Sequence, residues 1–457
     1  MSMIDNLDDD IVSRPNIVEN TPNARDEQID AKSWWASLNY AWKKALAHSM
    51  NYQGEIEYMS DNDIERMFEV EYLYLFVDLD QAFQIKDLKP AAYLKNLKTL
   101  DCNSTQIRSV EPIAHLESLD SLNLSSTEVT DLSPLKGLKK LTTLSYCNCR
   151  AKKLDNLHEL TSLRNLYLNN SKIRDFSALN TLRQLEQLDL SQTRCDNLQF
   201  LTQMPRLTHL YLNFTRVRSL EGIQNCTRLN TLYAVATRIS DITPLQNLIH
   251  LRYLDLSDTR VMDISPLSKL KNIELLQLGR TDVVQIDALK ELSFVTSLYL
   301  NDTWVKDLSP LRNMERLETL DISRTDVEDL SPLTGCTNLR YLYAHGTEVK
   351  SLEPLSSLYL LNYLSLGETL IDSFEPLRNV DSLRSLDAYA TDVSDLSPLE
   401  NLSLLEYLNV ALTKVSSLKG IENLTKLGNL HCNGCPIPKE EIEQYRQLNV
   451  DCFVDFG

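Results

Sequence analysis

The chain has 457 residues, 43% hydrophobic and 24% charged, and its 64 acidic against 46 basic side chains give a net charge of −18. That balance favours solubility and argues against general nucleic-acid binding. Nowhere do enough apolar residues run together for a membrane span.

Residues 1–31 are polar and acidic, with Asp8, Asp9 and Asp10 in a row and Pro15 and Pro22 nearby. They read as a disordered tail, or else as a docking or export segment. The start has no basic region followed by an apolar run. A cytoplasmic location is therefore expected, with an effector exported without a cleaved signal peptide as the alternative.

Residues 32–72 are expected to form a helical N-terminal cap. In AKSWWASLNYAWKKALAHSM, Trp35, Leu38, Trp42 and Leu46 share one helical face behind Ser33 as N-cap. The open end of a repeat array needs a cover, and this aromatic face suits that task; a membrane-binding or partner-binding helix is the alternative. A second helix is predicted from Asp61 to Val70, capped by Asp61 or Asn62, with Ile64, Met67 and Phe68 on one side.

From 73 to 435 the chain repeats. Thr105, Thr127, Thr193, Thr215, Thr237, Thr259, Thr281, Thr303, Thr325, Thr347, Thr369, Thr391 and Thr413 lie on one series with a step of 22, completed by Cys149, Ser171 and Cys435. The clearest copy is LRYLDLSDTRVMDISPLSKLKN, Leu251 to Asn272. With Leu251 as position 1, apolar residues fall at positions 1, 4, 6, 11, 14, 17 and 20. Leu254 and Leu256 alternate with Tyr253, Asp255 and Ser257, which predicts a short strand with leucines inward. A degenerate first turn is expected to begin near Leu75 with Phe83 at its centre, making about seventeen turns. At ~4.8 Å per strand the sheet would run ~80 Å.

The position-9 hydroxyl is expected to satisfy backbone groups of its own and the adjacent turn. The return segment often reads D-[LI]-[ST]-P-L, as at Asp263 to Leu267. The Ser or Thr before proline is expected to act as N-cap of a single helical turn. Asn156, Ala178, Phe200 and Gly222 stand at the proline place of four successive turns, where looser or longer helical turns are expected. Residues 436–457 are expected as a C-terminal cap: a helix from Pro438 with Ile442, Tyr445 and Leu448 over the last turn, then a strand at Phe453 and Val454.

TDVEDLSPLTGCTNL and its copies resemble the 22-residue repeats of the internalin-type leucine-rich-repeat class over about four fifths of the chain. The resemblance implies an α/β leucine-rich-repeat solenoid, with a curved parallel sheet on the concave side and short helical turns on the convex side. It implies binding without fixing the target. No sorting motif or immunoglobulin-like strands follow the repeats, so a surface-adhesin role is not expected.

The residues carry little sign of catalysis. There is no Gly-rich phosphate loop and no HExxH. Cys432 and Cys435 form one CxxC beside His431, with no further ligands in register, so no metal and no cofactor are expected. The nine cysteines are an odd number, and six of them (Cys102, Cys147, Cys149, Cys195, Cys432, Cys435) fall on or near repeat positions as reduced filler.

The informative surface is the outward face of the sheet. Tyr167, Tyr211, Tyr233, Tyr299 and Tyr343 fall at position 5, Tyr253, Tyr341, Tyr363 and Tyr407 at position 3, and Tyr389 at position 7, with His209, His345 and His431 in the same columns. Tyrosine combines large area, few rotors and a polar tip, which suits binding; cross-strand ladders that stabilise the sheet are the alternative. Position 10 carries Arg194, Arg216, Arg238 and Arg260 in successive turns, and Trp304 further along. Stacked like charges repel. Either Asp241, Asp258 and Asp263 compensate them or they meet an acidic or phosphorylated patch on a partner, while Trp304 is a candidate anchor. The expected function is a protein-interaction scaffold. A regulatory subunit of an enzyme such as a phosphatase, or a host-delivered bacterial effector, are the alternatives.

Overall fold

Each 22-residue unit makes one turn of a solenoid, and the apolar positions decide its shape. The structure, a computed structural model, describes residues 29–75, 85–154 and 156–456. The tail expected over 1–31 lies almost wholly outside these residues, and Phe83 lies outside them.

Sixteen strands of three residues, β2 (Thr99–Asp101) to β17 (Asn429–His431), recur at the 22-residue step and cover positions 3 to 5. β1 (Tyr72–Tyr74) and β18 (Phe453–Asp455) extend the sheet at either end. Neighbours pair in parallel and in chain order, Leu254 opposite Leu276 and Leu276 opposite Leu298. Leu254 and Leu256 are fully buried, as are their equivalents along the array. Each buried leucine contributes roughly 1.5–3 kcal/mol, and all belong to one continuous core.

β1 departs from the expected frame. Leu73 pairs with Leu100, a step of 27 rather than 22, so the first strand precedes Leu75 instead of following it. The last step, Leu430 to Val454, is 24.

The strands end because position 8 is left-handed in every one of these sixteen turns. Fourteen non-glycine residues there, from Ser104 to Leu412, have φ between +52° and +59°, and Gly346 and Gly434 complete the set. The turns are joined there by backbone: Asp258 N donates to Gly279 O at 2.9 Å. The threonine hydroxyl has a more local role than expected. Thr259 Oγ1 donates to Leu256 O at 2.6 Å, within its own turn, and the other ladder threonines repeat this bond. The carbonyl at position 6 is the group it satisfies; an amide donates to the hydroxyl at Cys195 and Val415.

On the convex side, short 3₁₀ turns begin at the Ser/Thr-Pro pairs. The expected capping role is corrected: the acceptor is the aspartate two residues earlier, not the serine. Asp263 Oδ1 accepts from Ser265 N at 2.8 Å while Ser265 Oγ donates to Asp263 Oδ2 at 3.0 Å. Where proline is missing, Ser177–Thr181 and Gln199–Gln203 are no longer than Ser133–Gly137 in a proline turn. In the other two of these turns the backbone differs: Asn156 and Gly222 are left-handed, with φ +64° and +105°.

The predicted first helix is two. α1 (Ala31–Ser37) is capped by Asp30, which accepts from Ser33 N, and α2 (Tyr40–Ser49) by Asn39, which accepts from Trp42 N. Ser33 is inside the first turn rather than at its cap. α3 (Asp61–Arg66) is capped by Ser60, not by Asp61 or Asn62, and continues as a 3₁₀ turn to Glu69. α2 packs on β1. Trp34, Trp42, Leu46, Ile64 and Met67 join the core that Leu73 and Leu75 continue. Trp34, missing from the predicted face, is among the most buried, and its ring lies 4.7 Å from Phe68. At the other end α4 (Lys439–Leu448) buries Ile442 and Tyr445, whereas Leu448, expected to cover the last turn, is 74% exposed.

Candidate protein-binding face

Strand alternation turns positions 3, 5 and 7 outward. Across the turns of β2 to β17 these positions carry ten tyrosines, three histidines and five aspartates, and no Lys, Arg or Glu. Its histidines aside, the acidic and basic side chains at these positions are thus all carboxylates.

The aspartates occupy position 5, and their role was not read from the sequence. Position 7 lacks a ladder partner for its amide, and the aspartate two residues back supplies one. Asp189 Oδ1 accepts from Ser191 N at 2.8 Å, Asp255 from Ser257 N at 2.9 Å, and Asp321 from Ser323 N at 2.9 Å. Asn123 and Asn409 do the same for Ser125 and Ala411. Asp/Asn recurring at position 5 was the available signal. Burial pushes the Asp255 and Asp387 carboxyls above the usual carboxylate range.

The tyrosines gather in two groups. Tyr211 and Tyr233 meet edge to face with centroids 5.6 Å apart. The larger group spans β13 to β17. Tyr343 lies 4.8 Å from Tyr363, His345 stacks on Tyr389 at 6.2 Å, and Tyr407 lies 5.4 Å from His431. Tyr341, beside them, is 42% exposed. Gly367 makes room for Tyr389. Burial raises the phenol pKa of Tyr343, Tyr363 and Tyr407. The rings therefore pack on each other while keeping their outer edges open. Tyr253 leans to the rim, with its hydroxyl 3.3 Å from Glu274 and Arg252 over its ring. Tyr299 stands between the two groups.

Other candidates lie elsewhere. Trp304 is 60% exposed at position 10, on the flank beside the threonine ladder rather than on the tyrosine face. Arg194, Arg216, Arg238 and Arg260 are exposed on that flank too. The compensation expected for them is not there. Asp241 accepts from Thr243 N, Asp263 holds Ser265, and Asp258 faces Arg280 at 3.3 Å. Cys432 faces the core, Cys435 sits against Val410 O and Thr413, and His431 points outward, so the CxxC and its histidine do not converge. Burial pushes the thiols of Cys195, Cys226, Cys336 and Cys432 up to about 12, well away from reactive thiolates.

No family model and no curated protein matches the chain. Solved structures do. An internalin (inlF) of Listeria monocytogenes is 21% identical over 86% of this chain and 94% of its own, with a TM-score of 0.54. A plant peptide hormone receptor, RGFR1, solved in complex with RGF2, is 18% identical over 87% of this chain and 72% of its own, at TM-score 0.69. TLR13, solved in complex with single-stranded RNA, is 22% identical over 78% of this chain and 59% of its own, at TM-score 0.54. Together with the eighteen parallel strands among the described residues, these show that the chain has a leucine-rich-repeat fold. Within that class its fold is similar to that of internalins. Among the described residues no helix is long and apolar enough to cross a membrane.

Proposed function

We propose that the protein is a non-catalytic scaffold that holds a protein partner on the tyrosine-rich concave face, centred on Tyr341, Tyr343, His345, Tyr363, Tyr389 and Tyr407. The observation that carries this reading is the composition of the face: ten tyrosines and five aspartates with no Lys, Arg or Glu. Such a face suits a neutral or basic partner surface, whose cations can lie over tyrosine rings and near carboxylates. The rigid sheet fixes the rings before binding, which limits the entropy lost on association. The net charge of −18 supports a protein rather than a nucleic-acid ligand; since TLR13 was solved with RNA, the test includes an oligonucleotide. A reducing, cytoplasmic setting belongs to this reading. Its support is that the cysteines are free thiols, six of which (Cys102, Cys149, Cys226, Cys336, Cys432 and Cys435) stand at positions that Leu or Thr fill in other turns.

The test is paired affinity capture from native lysate. One bait is the unaltered chain and the other carries Tyr341→Ala, Tyr343→Ala and Tyr363→Ala with an unchanged circular-dichroism melt. A protein held by the first and lost by the second supports the reading. Equal capture by both, or displacement of the partner by single-stranded oligonucleotide, overturns it.

A further inference from the structure

Position 10, one residue past the threonine ladder, carries a cation in six successive turns: Arg150, Lys172, Arg194, Arg216, Arg238 and Arg260. All six are exposed. The strands of these six turns pair in parallel register, and the last three turns are each also joined to the turn before at the ladder itself: Arg216 N donates to Cys195 O, Arg238 N to Val217 O and Arg260 N to Ile239 O, each at 2.9 Å. The cations therefore stand one strand spacing apart, ~4.8 Å. Among the described residues none of the six has a carboxylate within ion-pair distance. Elsewhere in the same column the charges do pair, as Lys414 with Asp392 at 2.6 Å. The one carboxylate at position 10 or 12 of these turns, Asp196, is engaged by Asn197. The ladder is also bounded, by Glu128 one turn before and Asp282 one turn after.

We propose that this ladder is a second binding strip, separate from the tyrosine face, and that it takes a short acidic helix of a partner protein. The spacing selects the helix. Carboxylates at i, i+3/i+4 and i+7 advance ~5.4 Å per helical turn, close to the ~4.8 Å of the ladder. An extended strand places same-side carboxylates ~6.7 Å apart and loses register within two steps. The ladder covers ~24 Å, the length of about 16 helical residues. Five of the six cations are arginines, whose forked donors hold carboxylates at two points. A long polyanion would run onto Glu128 or Asp282 and against the negative charge of the rest of the molecule.

The test measures fluorescence anisotropy on the full chain with three labelled probes. The first is an alanine-glutamate peptide of about 16 residues with its glutamates on one helical face. The second has the same composition with a central proline that breaks the helix. The third is an oligothymidylate of matching length. The variant Arg194→Glu/Arg216→Glu/Arg238→Glu alters only exposed side chains, and Lys95→Glu/Lys136→Glu/Lys269→Glu makes the same change of net charge elsewhere on the surface. The helical peptide is expected to bind the unaltered chain, at least ~10-fold more weakly the ladder variant, and within ~3-fold the control variant. Raising salt to ~1 M should weaken it further. Four outcomes overturn the proposal: no binding of the helical peptide at low salt, equal binding of the broken peptide, tighter binding of the oligothymidylate, or equal loss in both variants.

Discussion

Gly367 and Tyr389 occupy the same position of successive turns, and the Tyr389 ring fills the space a side chain on Gly367 would need: a Cβ there would lie 2.2 Å from Tyr389 Cε1. The glycine is thus a device for seating an aromatic ring on the outward face. Gly367→Ala should displace Tyr389 from its stack on His345 without touching the core. Because the ring can swing into solvent, the stability cost should stay below about 1 kcal/mol. Partner affinity should fall about tenfold, with thermal melting and partner binding measured on the same preparation.

Asp255 gives a pH prediction. Its carboxyl is raised above the ordinary 3.8 by burial, although Ser257 hydrogen bonds oppose the shift. The folded state therefore binds this proton more tightly than the unfolded chain does. Stability from this group is fully present below the unfolded value and is lost as pH rises through the raised folded one. Asp255→Asn keeps the acceptor for Ser257 N, as Asn123 and Asn409 do in their turns, and removes the buried charge. The variant should be at least as stable as the original at pH 7, with its advantage shrinking toward pH 4 in urea titrations. Asp255→Ala should cost about 1–3 kcal/mol by orphaning the amide.

Leu412 holds φ +58° with its side chain 61% exposed. The left-handed conformation costs a non-glycine residue about 1–2 kcal/mol, partly offset by the greater unfolded freedom of glycine, about 0.5–1 kcal/mol. Leu412→Gly should stabilise by up to about 1 kcal/mol. Leu412→Val, with its branched Cβ, should destabilise. Equal melting temperatures for the two variants would show that stacking, not local strain, dominates at position 8.

Thr259 donates to Leu256 O at 2.6 Å and is buried. Thr259→Val keeps the shape and removes the donor, so about 1 kcal/mol of stability should be lost, while Thr259→Ser should lose less. Thr347 makes the same bond four turns away. The two valine substitutions should add in denaturant titrations, because turns couple only to their neighbours.

The period was legible in the chain because seven apolar positions recur without insertion, and that periodicity alone places Leu254, Leu276 and Leu298 opposite one another. The left-handed position was not legible. Ser104, Phe214, Arg324 and Leu412 share no chemistry, and stacked turns impose the conformation on whichever residue arrives there. The first turn was misplaced because its 27-residue step leaves the frame that the other turns keep. The break between α1 and α2 had a signal in Asn39, overlooked because the aromatic face continues across it. At the site, the columns foretold which tyrosines face outward. That Tyr343 meets Tyr363, and that the arginines stand unpaired, depends on side-chain directions that periodicity does not encode.

The uniform step has a mechanical consequence. Each interior turn is held to its neighbours by the same few backbone bonds and the same leucines, so tension along the stack meets a series of near-equal links. A peeled turn releases 22 residues, about 70 Å of contour at the reach of an extended chain. The molecule is then a spring that yields coil by coil, and a partner laid across β13 to β16 would splint those coils together.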